Sequence, residues 1–363
     1  MKLAKGSRVA VLTSGGDAPG MNAALRGVAR VGTELGFDVV GVEEGFQGLV
    51  EGRFVPVSLR SLDEAARRGG TVLGTARCKV FPTPEGQKRA REQIEANMIR
   101  GLVVIGGNGS LTGARTLVGF ETSHGPLLVG GVPASIDNDL GCTSMAIGVD
   151  TAMNTIVDAC DRILDTAAAH RRTFLVEVMG RDCGYLAMTA GIAAGADAVI
   201  VPEIGKSEDE IVDQVYRTVE RAYAGSDARR RVLVIKAEGV KIDAAKLKER
   251  VDALVADRLK DVDSRVTVLG HVVRGGTPTA FDRLLGARLA NAAVRAIGDG
   301  MSDFMAGWYG PGMKTPPCNY DPYVVLPNLG DVLTETQNLM RGESMIAQWR
   351  KRVYQEVESI LNR

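Results

Sequence analysis

Histidine is scarce, with three among 363 residues, and cysteine never occurs in the paired spacing that a zinc module needs. The five cysteines (Cys78, Cys142, Cys160, Cys183 and Cys318) are scattered and odd in number. This argues against a disulfide scaffold and points to free thiols in a reducing compartment. Neither sign of charge is in excess: 44 Lys and Arg balance 44 Asp and Glu. No global field would therefore hold the chain on nucleic acid or an anionic membrane, and any anion site must be local. Long apolar runs are missing as well. The stretches at 192–201 and 102–105 are too short to span a bilayer, and Asp197 interrupts the first. The basic start, Met1 to Arg8, is followed by only Val9 to Leu12 before a glycine turn, which is no signal peptide. The expectation is a soluble, cytoplasmic protein without nucleic-acid or membrane partners. Neither GxGxxG nor GxxxxGK[ST] occurs in the first glycine loop, so the dinucleotide fingerprint and the Walker loop are not what binds there.

What is present is an ordinary globular composition, 45% hydrophobic and 24% charged, enough for a sizeable core. At roughly 150 residues per domain the length suggests two domains. Short β-branched runs alternate with stretches of helical period: Val9–Thr13 before Asn22–Leu35, Leu102–Ile105 before Ser110–Phe120, and Phe174–Met179 before Gly184–Ala194. This is the pattern of a parallel α/β sheet, in which ligands bind beyond the carboxyl ends of the strands. A second domain is expected to begin near Asp150, where a helix-like Thr151–Thr166 starts. The chain then returns to the first domain after HVVRGG at 271–276. The stretch Asp331–Arg363 suits one or two amphipathic helices with a packing or oligomer role.

Five strand ends carry glycine, arginine or carboxylate. Ser14 to Gly20 (SGGDAPG) joins a strand to a helix, where bare amides at a helix N-terminus suit phosphate oxygens; a tight turn needing positive φ is the alternative. Gly106 to Ser110 (GGNGS) repeats the device, and two such loops in one sheet suggest a polyphosphate donor lying across the crevice. Ser135-Ile136-Asp137-Asn138-Asp139 sets two carboxylates two residues apart, one fit to be a base and the other a magnesium partner, or else a solvated Asx turn. Phosphoryl transfer needs arginines around the moving group. Arg77, Arg172, Arg181, Arg265 and Arg274 stand at loop or strand ends, though any one of them alone reads as surface. His271 is fit to donate to a sugar or phosphate oxygen, or else is structural. Glu238, in KAEG, is fit to accept from sugar hydroxyls.

Taken in order, LTSGGDAPGMNAALRG, GGTVLGTAR, VIGGNGS, SIDND, VEVMGR and RVTVLGHVVRGG resemble the bacterial-type phosphofructokinase family over about residues 8–290. The resemblance implies two Rossmann-like α/β/α domains with mostly parallel sheets and the active site in the cleft between them. It divides the chain into a nucleotide-binding part, 1–149 with 275–328, and a sugar-phosphate part, 150–274 with 329–363. It makes Asp137 the base toward the 1-hydroxyl of fructose 6-phosphate, with Ser135 and Asp139 positioning the reactants. Gly16, Arg77, Cys78, Gly107, Asn108, Gly109 and Ser110 match nucleotide positions, and Arg77 and Arg181 would neutralise the transferring group. Ser135, Ile136, Asp137, Arg172, Met179, Gly180, Arg181, Glu238, Arg265, His271, Val272, Val273 and Arg274 match sugar-phosphate positions. The equivalents of Arg172 and Arg265 come from a neighbouring subunit, which implies a homotetramer or homodimer. ATP as donor and Mg2+, held with Asn108 and Asp139, complete the implied site.

Three positions bear on the donor and the metal. Pyrophosphate-using relatives carry aspartate where this chain has Gly109 and lysine where it has Ala134, so a nucleotide donor is favoured; Ala134 nonetheless departs from the usual ATP-type glycine. Asn108 replaces the aspartate that helps hold magnesium, and one negative charge is lost. Effector positions match in part, at Arg26, Arg30 and the Arg229–Arg231 run, while Leu164 stands where relatives supply arginine. A pyrophosphate-dependent enzyme, a nicotinamide dehydrogenase and a catalytically weak regulatory homologue are the alternatives.

Overall fold

A computed structural model of the chain describes residues 2–224, 231–256, 258–259, 262–310, 313 and 315–361. It contains two compact units, Met1–Thr151 with Arg274–Asn338 and Ala152–Val273 with Leu339–Arg363. The first is built on a six-stranded sheet in the order Phe304–Met305, Leu128–Pro133, Ile99–Gly106, Arg8–Ser14, Asp38–Val42, Phe54–Pro56. All neighbours are parallel except the last pair, which is antiparallel. The central strands are near-continuous aliphatic runs because helices cover both faces. Val9 to Leu12 and Leu102 to Ile105 are completely buried.

Helices follow the strands with recognisable start signals. The Pro84–Ala96 helix is capped by Thr83, whose hydroxyl accepts from Gly86 N. Thr279 caps Ala280–Gly298 through Asp282 N. Met21–Glu34 packs lengthwise on Ala280–Gly298. Small residues permit the approach: a Cβ on Gly27 would come 2.7 Å from Ala290 Cβ. The completely buried Asp282 accepts from Gly148 N and Thr151 N, both at 2.8 Å, and from Thr151 Oγ1 at 2.6 Å. It thereby fixes the start of the Val149–His170 helix, while burial raises its carboxyl pKa.

The second unit holds a four-stranded parallel sheet in the order Asp263–Val268, Arg172–Val178, Val232–Ala237, Ala198–Ile200. Tyr185–Ala193, Glu208–Ala224, Ala244–Ala256 and the C-terminal Met345–Leu361 helix surround it. An ion pair lies in its interior: Lys236, 1% exposed, stands in register with Glu177 and places Nζ 2.8 Å from Glu177 Oε2.

The mostly parallel α/β class agrees with the alternation in the sequence. The helix expected over Ser110–Phe120 instead spans Asn108–Arg115. It begins directly at the strand-end glycines, and the chain leaves helical geometry before Gly119, at φ 77°. The helix expected over Thr151–Thr166 runs longer, to His170. Among the described residues no helix is long and apolar enough to cross a membrane.

Candidate active site

In the first unit the two glycine loops leave neighbouring parallel strands, with Ser14 opposite Gly106 in register. They approach so closely that a Cβ on Gly106 would lie 2.5 Å from both Ser14 O and Ser110 Oγ, and one on Gly15 (φ 86°) would lie 3.2 Å from Ser110 Oγ. Each loop opens a helix: Gly20 (φ 108°) precedes Met21–Glu34, and Gly107 precedes Asn108–Arg115. First-turn amides with no earlier helical carbonyl to meet make these ends fit for anions. Among the described residues a Cβ on Gly109 would meet nothing within 4 Å, so the space over that helix end is open.

The 71–78 segment is pinned alongside. Thr75 Oγ1 donates to Gly15 O at 2.8 Å, and the Thr13 and Thr71 hydroxyls lie 2.8 Å apart. This brings exposed Arg77 and half-buried Cys78 within a few residues of the first loop. The Cys78 sulfur accepts from Phe81 N. Arg274, assigned in sequence to the sugar phosphate, donates through Nη1 to Asp17 O at 3.3 Å and lies so near Gly16 that any Cβ there would collide with its guanidinium. Gly16 and Arg274 thus form one local cluster.

Next to these loops, Pro133 ends its strand opposite Gly106, and Ala134 N donates to Gly106 O at 3.0 Å. Asp137 is 6% exposed. Between it and Asp139, Asn138 takes the left-handed conformation (φ 51°). Its buried amide donates to Ser144 O at 3.2 Å and accepts from Ala146 N at 3.1 Å. Asn138 is therefore the residue that shapes the loop, and sequence reasoning passed over it. The signal was available, because asparagine tolerates left-handed φ and bonds nearby backbone. Ser135 Oγ donates to Asp139 Oδ1 at 2.9 Å, and Ile136 is buried beside them. A Cβ on Gly107 would touch Ser135 Cβ at 3.7 Å, which joins this loop to GGNGS.

Among the described residues no three His, Cys, Asp or Glu side chains converge on a possible cation position. Of the residues expected to hold magnesium, Asp139 offers a carboxylate that accepts from Ser135 Oγ, and Asn108 an amide oxygen at the start of its helix. Magnesium takes one or two protein carboxylates and completes its shell with phosphate oxygens and water. This sparse donor set fits that habit.

In the second unit, Met179, Gly180 and Arg181 follow the Arg172–Val178 strand, and Glu238 follows Val232–Ala237. Glu238 N donates to Val178 O at 2.9 Å, while its Oε1 accepts from Gly180 N at 3.1 Å and Arg181 N at 2.7 Å. Gly180 (φ 147°) and Arg181 (φ 49°) both lie at positive φ, a strained turn of the kind that clusters at ligand sites. Met179 is buried below it and Arg181 points to solvent. His271 and Val272 are exposed on the Gly270–Arg274 turn, with Val273 buried as its anchor.

Arg172 and Arg265 are not brought to this edge. Arg172 opens its strand, with Nε 2.7 Å from Asp263 Oδ2, and Arg265 pairs with the other oxygen of the same carboxylate. Six residue steps along its strand put Arg172 about 20 Å from Val178, where the Met179–Arg181 turn begins, and Arg265, in register with Phe174, lies about 13 Å from the same end. Of the residues expected from the sequence at effector positions, Arg26 and Arg30 both bind Asp63, at 2.5 and 2.7 Å, and hold its carboxyl below the ordinary range. Arg231 is half-buried, Arg229 and Arg230 lie outside the described residues, and Leu164 is half-buried on its helix.

Residues 8–297 match the family model described as Phosphofructokinase. A Thermotoga neapolitana protein named ATP-dependent 6-phosphofructokinase is 44% identical over 303 residues, covering 84% of this chain and 90% of that one. A Listeria welshimeri protein of the same name is 42% identical over 334 residues, covering 92% and 95%. Among solved structures, Pichia pastoris phosphofructokinase in the T-state superposes with TM-score 0.85 at 31% identity, covering 99% of this chain, which spans 40% of the yeast chain. A pyrophosphate-dependent phosphofructokinase from Marinobacter aquaeolei shares the fold, with TM-score 0.75 at 21% identity, over 90% of this chain and 83% of that one.

Proposed function

The chain belongs to the phosphofructokinase family, and from that premise we propose that it transfers the γ-phosphoryl group of ATP to the 1-hydroxyl of fructose 6-phosphate. The products are fructose 1,6-bisphosphate and ADP, a step of glycolysis. The observation that carries this reading is the buried Asp137, held by Asn138 on a strand end that touches the GGNGS loop. A carboxylate fixed beside anion-binding amides is placed to take the sugar hydroxyl proton as the oxygen attacks phosphorus.

The remaining groups divide by unit. Gly16, Arg77, Cys78 and Gly107 to Ser110 hold the nucleotide phosphates, with Arg77 and Arg181 countering charge on the moving phosphoryl group. Ser135 orients the acceptor and fixes Asp139, which with Asn108 would hold magnesium; the bound ion supplies charge neutralisation on the phosphate oxygens. Ile136 shapes the same loop. Met179, Gly180, Arg181, Glu238 and the 271–274 turn receive the sugar phosphate. Arg172 and Arg265, placed away from the carboxyl ends of their strands, serve a neighbouring subunit's site, and the working protein is a cytoplasmic homotetramer or homodimer.

ATP rather than pyrophosphate is supported by Gly109, where an aspartate would fill space that is open, by Ala134 in place of lysine, and by the names of the relatives. The experiment is initial-rate turnover of fructose 6-phosphate with magnesium and ATP, ADP, GTP or pyrophosphate, in the wild type and Asp137→Ala. Nucleotide-dependent bisphosphate formation that falls about 10²- to 10⁴-fold in the variant is expected. Turnover with pyrophosphate alone overturns the donor, and no turnover with any donor turns Asn108 into a disabling change and the chain into a regulatory homologue.

A further inference from the structure

The C-terminal Met345–Leu361 helix lies beyond the segment that the family model matches, yet it reaches the loop that bears Arg181. Arg350 is 6% exposed. Its guanidinium lies 4.4 Å from the Tyr185 ring centroid and donates through Nη1 to Cys183 Sγ at 3.5 Å. Burying an arginine is costly unless its charge finds a partner, and stacking on an aromatic face is one that its plane suits. One contact falls inside the turn and the other on Tyr185, the first residue of the helix that follows it. Cys183 N donates to Gly180 O at 2.9 Å, and the Cys183 carbonyl closes so tightly on Gly180 that a Cβ there would collide with it. Gly184 N donates to Glu203 Oε1 at 2.7 Å.

The 180–184 turn is thus gripped from three elements: Glu238 at its start, Glu203 at its end and Arg350 across its middle. The helix that delivers Arg350 is itself anchored by polar contacts. Tyr354 OH donates to Val199 O, and Glu358 receives Lys206 Nζ at 2.6 Å and Gln214 Nε2 at 2.9 Å. Left to itself, a turn with two successive positive-φ residues, one of them arginine, would relax.

We propose that Arg350 is a positioning residue for the sugar-phosphate loop, holding Arg181 in its left-handed conformation through Cys183 and Tyr185. The C-terminal helix then sets acceptor affinity in addition to packing the unit. This rests on the fructose 6-phosphate reading, but the turn can be followed without turnover.

Hydrogen–deuterium exchange of peptides covering 179–186 in the full chain is compared with steady-state kinetics for wild type, Arg350→Met, Arg350→Lys and Tyr185→Leu. In Arg350→Met, exchange across the turn is expected to accelerate about tenfold with the rest of the unit unchanged. KM for fructose 6-phosphate is expected to rise about tenfold while KM for ATP stays within about twofold, with kcat falling as well because Arg181 also counters charge on the moving phosphoryl group, and Arg350→Lys to recover part of these changes. Unchanged exchange over 179–186 in a folded Arg350→Met overturns the proposal, as does a fall in kcat without the KM split. If Arg350→Met does not fold, Tyr185→Leu decides by the same exchange criterion. If the wild type does not use fructose 6-phosphate, the substrate reading fails and the exchange result still decides the role of Arg350.

Discussion

Arg172 Nε stands 2.7 Å from Asp263 Oδ2, at the opposite end of its strand from the Met179–Arg181 turn. An arginine needed for the sugar phosphate and placed there cannot serve the same chain's loop about 20 Å away. Mixed oligomers provide the test. Arg172→Ala and Asp137→Ala are each expected to be nearly inactive, and hybrids formed by co-refolding them should regain a fraction of wild-type activity, because one subunit of a hybrid supplies the arginine while its neighbour supplies the base.

Gly109 and Asn108 allow the donor site to be tuned without disturbing the fold. A carboxylate at the first turn of a helix meets favourable amide dipoles, worth about 0.3–1 kcal/mol, and replacing a helical glycine also helps. Gly109→Asp is therefore expected to keep or raise the melting temperature while kcat/KM for ATP falls about tenfold or more from charge repulsion and lost space. Asn108→Asp is expected to lower the magnesium concentration needed for half-maximal rate.

Lys236 is a buried charge with an acidic partner in the same sheet. Lys236→Met leaves Glu177 without its ammonium partner inside the sheet, and breaking such a pair costs about 3–5 kcal/mol. Urea unfolding should show that loss. The double change Lys236→Met with Glu177→Leu is expected to recover most of it, since replacing both charges removes the desolvation penalty as well as the attraction.

Asp321 links stability to pH. Burial alone would raise its pKa, but two hydrogen bonds from Arg288, at 2.6 and 2.5 Å, and one from Tyr323 N outweigh it and hold the carboxyl below its ordinary value. The same guanidinium lies 4.8 Å from the Trp308 ring centroid and 4.7 Å from that of Tyr323. A depressed carboxyl contributes stability above its unfolded pKa and loses it as pH falls through the folded value. The stability gap between wild type and Arg288→Met, followed by tryptophan emission in urea, is accordingly expected to be wide at neutral pH and to narrow at about pH 3 and below.

The sheet was legible because parallel strands buried on both faces are written as aliphatic runs, as in Val9–Leu12 and Leu102–Ile105, and because glycine marks the strand ends where backbones approach. Helix limits were less so. Asn108–Arg115 ends where local turn geometry takes over, which apolar periodicity does not encode. The contributions of Asn138 and Arg350 escaped for a related reason: each acts by holding a turn, and its partners, Ala146 in one case and Cys183 and Tyr185 in the other, are apparent only once the chain has folded. The pairing of Arg172 and Arg265 on one carboxylate likewise depends on strand register.

Within the single run GGNGS, Gly106 and Gly109 live under opposite regimes. At Gly106 the protein's own atoms, Ser14 O and Ser110 Oγ, occupy the place a side chain would take; at Gly109 no atom of the described residues does. A library randomised at both codons and sorted for folded protein alone should keep only glycine at 106 while accepting almost any residue at 109. Sorted for turnover, the same library should close at 109 too, so that the difference between the two sorts measures what the substrate, rather than the fold, demands of that position.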